Sequence, residues 1–251
     1  MIGSKRASRA YSRRSLYGQV AHELGSSIIA GELQSGTVLP NEAALGNQLD
    51  VSRTALREAV KMLAAKGLVE SRPKVGTTVR PRSAWNMLDP DVLAWHMAVR
   101  PDEPFFDSLF EVRLIIEPAS AAMAAERATE SQLQELRTAY DAMAAALNDL
   151  DASVSADLRF HQAVLTATGN AFLESLGSLI ETALAVSFRL SDSSHPKAYE
   201  AALPEHRAVL ESIEAGKPDA ARAAMLELLL DAQADVRRTL RRRARSESLS
   251  V

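Results

Sequence analysis

The 251-residue sequence contains no cysteine, which excludes a disulfide framework, a thiolate zinc site and a cysteine nucleophile. Aromatic residues make up only 5% of the chain while alanine and leucine abound, a mixture that favours helices over a β-sandwich. No apolar run reaches the roughly 20 residues needed to span a bilayer. Lys5, Arg6, Arg9, Arg13 and Arg14 are not followed by the apolar stretch of a secretory leader, so a cytoplasmic, membrane-free protein is expected. What is present is ordinary for a folded chain: 47% hydrophobic and 24% charged residues, at a length that suits two domains better than one.

The charge is unevenly divided. Residues 1–82 hold 13 Lys/Arg against 6 Asp/Glu, a net +7, whereas residues 83–251 hold 16 against 26, a net −10. A basic head on an acidic body suggests that the head meets a polyanion while the body does something else. The expected organisation is a basic tail (1–15), a head domain (16–82), a linker with a short helix (83–104), a helical body (105–243) and a C-terminal tail (244–251).

Within the head, Leu16, Val20, Leu24, Ile28 and Ile29 form a helical stripe closed by Gly31. Thr37–Leu39 reads as extended, Asn41 as the cap of a second helix, and Ser52 as the cap of a third that runs to Lys66 before Gly67. Leu68–Ser71 and Thr77–Arg80 flank Pro73-Lys74-Val75-Gly76 as a hairpin with a basic tip. This order predicts a winged helix-turn-helix. Ser52, Arg53 and Thr54 open the third helix with hydroxyls and a guanidinium, and Arg57 projects from the same face four residues on. Either arginine suits a guanine edge or a phosphate. Lys74 and Gly76 let the wing approach backbone phosphates. A basic helix face is, taken alone, more often a solvated surface than an interface.

The strings Leu39-Pro40-Asn41-Glu42-Ala43-Ala44-Leu45, Val51-Ser52-Arg53-Thr54-Ala55-Leu56-Arg57-Glu58-Ala59, Gly67-Leu68-Val69-Glu70 and Gly76-Thr77 resemble the DNA-binding domain of the GntR family. The resemblance implies that Arg53, Thr54, Arg57 and the wing glycine Gly76 touch double-stranded operator DNA. Ala43 departs from it, since some relatives carry a DNA-contacting arginine there.

Beyond Asp89 and Pro90, which suit the start of a short helix whose flanking Trp85 and Trp95 are expected to seal a domain junction, every long segment reads as helical. The spans are Phe105–Arg127, Ser131–Asn148, Ala152–Thr168, Ala171–Leu190, Lys197–Ala215 and Pro218–Arg243. The fold class is therefore mainly α, a winged head on an all-helical bundle, and bundles place ligand sites between facing helices. Arg113 falls among Leu109, Val112 and Ile116 on the side expected to be buried, where it needs a carboxylate or an anionic ligand. Asp157 and His161 share a helix face, and His206 lies on another helix after Glu205.

Glu111-Val112-Arg113, Asp157-Leu158-Arg159-Phe160-His161, Gly169-Asn170 and Glu205-His206 resemble the FCD effector domain of the FadR subfamily. That resemblance implies a divalent metal such as zinc on Asp157, His161 and His206, and an acid effector on Arg113, with Asn170 nearby. Leu228 stands where the family usually places a fourth, histidine ligand. The junction Trp85–Trp95 also resembles regulators of sugar-acid catabolism, those of galactonate operons in particular. The expected function is a homodimeric, ligand-responsive repressor released from operator DNA by a small carboxylate. Two rivals stand beside it. One is a metal-dependent hydrolase or lyase using Asp157, His161 and His206, with Glu205 or Glu111 as base. The other is a constitutive DNA-binding protein with an inert bundle, which a salt-bridged Arg113 in a closed core would favour. The arginines from Arg237 to Arg245 read as a cationic helix end.

Overall fold

Ser15 accepts a hydrogen bond from Gly18 N at 3.2 Å and so starts the first helix, α1 (Leu16–Ile29). A computed structural model of the chain describes residues 15–99, 103–147, 149–177, 179–182 and 195–248. The expected basic tail lies, Ser15 apart, outside the described residues. The chain divides into two units, Met1–Arg100 and Pro101–Val251.

In the first unit α1 is followed by α2 (Glu42–Gln48), capped by Asn41, and α3 (Arg53–Ala65), capped by Ser52. Asp50, at φ 52°, turns the chain between them. Gly67 has φ 79°, and a Cβ there would sit 2.2 Å from Ala84 O, so only glycine lets α3 end at this point. Strands β1 (Val69–Arg72) and β2 (Gly76–Val79) pair antiparallel with Val69 opposite Val79 and Arg72 opposite Gly76. Each is displaced by one residue from the expected span, because the ladder includes Arg72 and Gly76 and leaves a three-residue tip. Val38 bridges Thr78, so the extended piece expected at Thr37–Leu39 lies along the hairpin. Leu24, Ile28, Leu45, Leu56, Leu63, Leu68 and Val79 fill the core between the helices and this sheet.

The span expected to be linker and short helix needs correction. A 3₁₀ turn (Arg82–Ala84) leads to α4 (Pro90–Ala98), which starts as expected with Asp89 as cap and Pro90 first. This helix is part of the first unit. Trp95 is buried in the same core as Leu24 and Leu63, with its ring over Gly25, and Lys66 Nζ pairs with Asp89 and Asp91 at 2.7 Å each. Trp95 thus seals the interior of the head, and the division between units falls at Arg100 and Pro101.

The second unit consists, among the described residues, of helices alone: α5 (Glu103–Arg127), α6 (Glu130–Ala145), α7 (Leu150–Ala167), α8 (Ala171–Glu174), α9 (His195–Glu214) and α10 (Pro218–Ser248). Thr129 and Gln132 form a capping box that restarts the chain into α6. Helix α5 packs on α10 and α7, and α9 packs on α10 and α6. Their shared core is built from Leu136, Met143, Phe160, Val164, Val209, Ile213, Met225 and Leu229. Two expected spans change. The helix expected over Ala171–Leu190 is broken by a turn at Ser175 and Leu176, and its far end lies outside the described residues. Helix α10 continues to Ser248, so the expected tail from residue 244 begins as helix.

Candidate nucleic-acid interface and effector site

In the first unit, the cap fixes the start of α3. Ser52 Oγ accepts from Ala55 N at 3.2 Å, which leaves the first backbone N–H groups of the helix at its exposed end. Leu56, Ala59 and Leu63 are buried, so helical spacing leaves Arg53, Thr54 and Arg57 exposed together. Arg57 Nε lies 3.6 Å from Glu42 Oε1, with both side chains more than half exposed, a pairing too weak to compete with a phosphate. Lys61 is tied to Glu58 at 2.8 Å. At the hairpin tip Lys74 is exposed at φ 65°, next to the exposed Gly76 at φ 100°. Ala43 is half-buried and offers no polar group.

In the second unit, α5, α7 and α9 bring charged groups into a dry interior. Arg113, Glu117, Asp157, His161 and His206 are all buried. Arg113 Nε donates to Glu117 Oε1 at 2.5 Å, and Glu117 Oε2 accepts from His161 Nδ1 at 2.5 Å. An ionised carboxylate can only accept, so the His161 proton sits on Nδ1 and its Nε2 carries a lone pair. That lone pair faces Asp157 Oδ1 at 4.0 Å. His206 is oriented in the same manner. Its Nδ1 donates to Ala202 O at 2.8 Å, which leaves Nε2 as an acceptor 3.0 Å from Asp157 Oδ1. Nitrogen and oxygen there are close, but they form no hydrogen bond, and His206 Nε2 is buried without a donor. The ring of Phe160 stands edge-on to both imidazoles at 5.9 and 5.2 Å.

Electrostatics keep both acids ionised. Burial works to raise Glu117, but Arg113 and His161 outweigh it and hold its carboxyl at about 2. Burial likewise opposes ionisation of Asp157, and His206, His161 and Arg113 together bring it below its ordinary value. Burial and the neighbouring Asp157 push the Tyr199 hydroxyl up to about 13.

Asp157 Oδ1, His161 Nε2 and His206 Nε2 offer three ligand atoms within 4.8 Å of one another, each with no proton to give. Two lone pairs and a carboxylate that converge in a buried space repel one another unless a cation lies between them. The donor set therefore fits a divalent metal. Leu228 contributes only carbon and belongs to the apolar core.

Arg113 is salt-bridged in the interior, the arrangement expected of an inert bundle. Its Nη1, however, is buried and makes no hydrogen bond. Asn170 does not join this cluster by its oxygen, since Oδ1 caps α8 by accepting from Phe172 N at 3.0 Å. Glu205 is half-buried, and burial together with Asp231 raises its carboxyl, while Glu111 is exposed. Sequence reasoning missed Glu117, which joins Arg113 to His161. Its signal was the four-residue spacing from Arg113, which puts both on one face of α5.

Comparison with known proteins agrees with both halves. The family model for the FCD domain matches residues 108–231, and that for bacterial regulatory proteins of the gntR family matches residues 16–79. The galactonate operon transcriptional repressor of Escherichia coli is 36% identical over 206 residues, 82% of this chain and 90% of the repressor. A putative L-lactate dehydrogenase operon regulatory protein of E. coli is 34% identical over 221 residues, 85% of this chain and 83% of its own. Among solved structures, Lar, which controls expression of the Listeria monocytogenes agr system, is similar with a TM-score of 0.66. It is 21% identical and covers 90% of this chain and 98% of its own, so it shows the fold alone.

Proposed function

The chain belongs to the GntR family of bacterial regulatory proteins and carries an FCD domain, and from that premise we propose that it is a cytoplasmic, homodimeric repressor of sugar-acid catabolism genes that a small carboxylate releases from its operator. As a transcription regulator it is not an enzyme, and the hydrolase or lyase expected as a rival falls with that. No helix among the described residues is long and apolar enough to cross a membrane.

In this reading, Arg53, Thr54 and Arg57 meet base edges and phosphates while Ser52 holds the helix start in place. Lys74 and Gly76 bring the wing against the backbone, and a second copy of the chain reads the second half-site. Asp157, His161 and His206 would hold a divalent cation such as zinc, which supplies positive charge and open coordination positions to an oxygen ligand. Arg113 grips the effector's carboxylate. Asn170 enters only through the turn that it caps.

The observation that carries the proposal is the buried, unpartnered Arg113 Nη1 in the same interior as the unpartnered His206 Nε2. Unmade hydrogen bonds of this kind cost a fold stability and are expected where a ligand completes them. The Arg113–Glu117 salt bridge favours the second reading, a constitutive DNA binder with an inert bundle. Thermal unfolding with galactonate, L-lactate and related hydroxy acids, with and without zinc and with chelator, separates the two. A binder must stabilise the folded state by mass action. A chain whose melting is unmoved by every acid and by zinc is the inert kind.

A further inference from the structure

Glu117 has both carboxylate oxygens committed, Oε1 to the Arg113 guanidinium and Oε2 to the His161 imidazole, and none of the three side chains is more than 2% exposed. We propose that Glu117 is a positioning residue that ties the two halves of this site together, so that a divalent cation and a carboxylate ligand bind as a linked pair, each raising the affinity of the other. The inference rests on the function proposed above and adds a rule for how the site fills.

The argument is one of charge and of geometry. With both imidazoles neutral, as ligation requires, the cluster holds one cation, Arg113, and two carboxylates, Glu117 and Asp157. Its net charge is a single negative, and a carboxylate that approaches Arg113 Nη1 enters a repulsive, poorly screened interior. With a divalent cation among Asp157, His161 and His206 the same cluster is singly positive, and the sign of the interaction reverses. Leu228 leaves this balance unchanged and also leaves coordination open for a ligand oxygen. Glu117 transmits the change through contact. A cation on His161 Nε2 polarises Nδ1–H, which draws more of the Glu117 charge towards the imidazole. The guanidinium is then less neutralised and turns more of its field to the anion. By the same path an anion on Arg113 favours the cation, since linkage is reciprocal. Glu117→Gln removes the shared charge and can satisfy only one of the two donors with its single oxygen.

Cobalt absorption and calorimetry test this on the full-length protein. The wild type is titrated with Co²⁺ alone, with galactonate or acetate alone, and with each acid in the presence of Co²⁺. The expected results are a Co²⁺ spectrum that changes when acid is added and acid affinity at least fivefold higher with Co²⁺ than without. Co²⁺ affinity should rise by the same factor when acid is present. Glu117→Gln should bind Co²⁺ some 10–100-fold more weakly, with a displaced spectrum. Glu117→Asp, which keeps the charge, should recover part of the loss. If the wild type binds both but each affinity ignores the other ligand, the linkage is refuted while the function proposed above stands. A chain that binds neither Co²⁺ nor acid refutes both. Should Glu117→Gln keep wild-type Co²⁺ affinity and spectrum, the positioning role is refuted. The wild-type titrations decide the linkage even if the variants do not fold.

Discussion

Asp157 Oδ1 and His206 Nε2 lie 3.0 Å apart, and no proton is available to join them, because His206 places its hydrogen on Ala202 O. The bundle therefore holds two acceptors face to face in its interior, an arrangement that folding alone does not favour. Removing one of them should relieve the clash and abolish cation binding together. Asp157→Ala and His206→Ala are expected to lose the rise in melting temperature that zinc gives the wild type. Differential scanning calorimetry with zinc, then with chelator, checks this; an undiminished zinc response in either variant would contradict the ligand assignment.

On the head, Arg53→Ala and Arg57→Ala should each weaken operator DNA by about 1–3 kcal/mol, with the far-ultraviolet spectrum unchanged. Both side chains are exposed and touch no core residue, so their removal should leave stability within about 0.5 kcal/mol of wild type. Gel shifts at two salt concentrations read the loss. Wild-type affinity in both variants would mean that another face of the head meets DNA.

Glu117 makes stability depend on pH. Its folded carboxyl titrates at about 2, below the ordinary 4.5, so the ionised form stabilises the fold. That contribution is complete above about pH 5 and declines as pH falls towards 2, because the unfolded chain binds the proton first. Denaturant midpoints at a series of pH values should fall over this window, and less steeply in Glu117→Gln. Parallel curves for the two proteins would show that other groups carry the acid sensitivity.

Gly25 tests the packing of α4 on α1. In an isolated helix, alanine is favoured over glycine by about 1 kcal/mol. Here a Cβ would lie 2.5 Å from a carbon of the Trp95 ring, and overpacking of that kind costs about 1–3 kcal/mol. Gly25→Ala should therefore lower the melting temperature of the head, read through tryptophan fluorescence. A gain in stability would mean that the ring moves aside freely.

Much of the head was legible in the sequence because its signals are local. Asn41, Ser52 and Asp89 cap helices where their side chains can reach the third backbone N–H or an earlier one, and Gly67 ends α3 at a positive φ. The place of α4 was not legible, since nothing near Trp95 in the chain announces that its ring lies over Gly25. The break after α8 was masked by apolar spacing that continues through Ala171–Leu190, although Ser175 and Gly177 marked it weakly. In the site, Asp157, His161 and His206 could be found as residues able to bind metal. Glu117 could not be found that way, because an acid in a helix is ordinarily solvent-exposed and only its partners across the bundle show otherwise.

The central claim is that a ligand in the helical body loosens the grip of the head on DNA. Fluorescence anisotropy of the full-length protein on DNA from upstream of its own gene, with zinc and increasing galactonate or L-lactate, tests it directly. The account predicts salt-sensitive binding that weakens 5- to 150-fold as the acid saturates, the span that an ordinary coupling of about 1–3 kcal/mol allows. DNA affinity that stays constant while calorimetry shows the acid bound would contradict it.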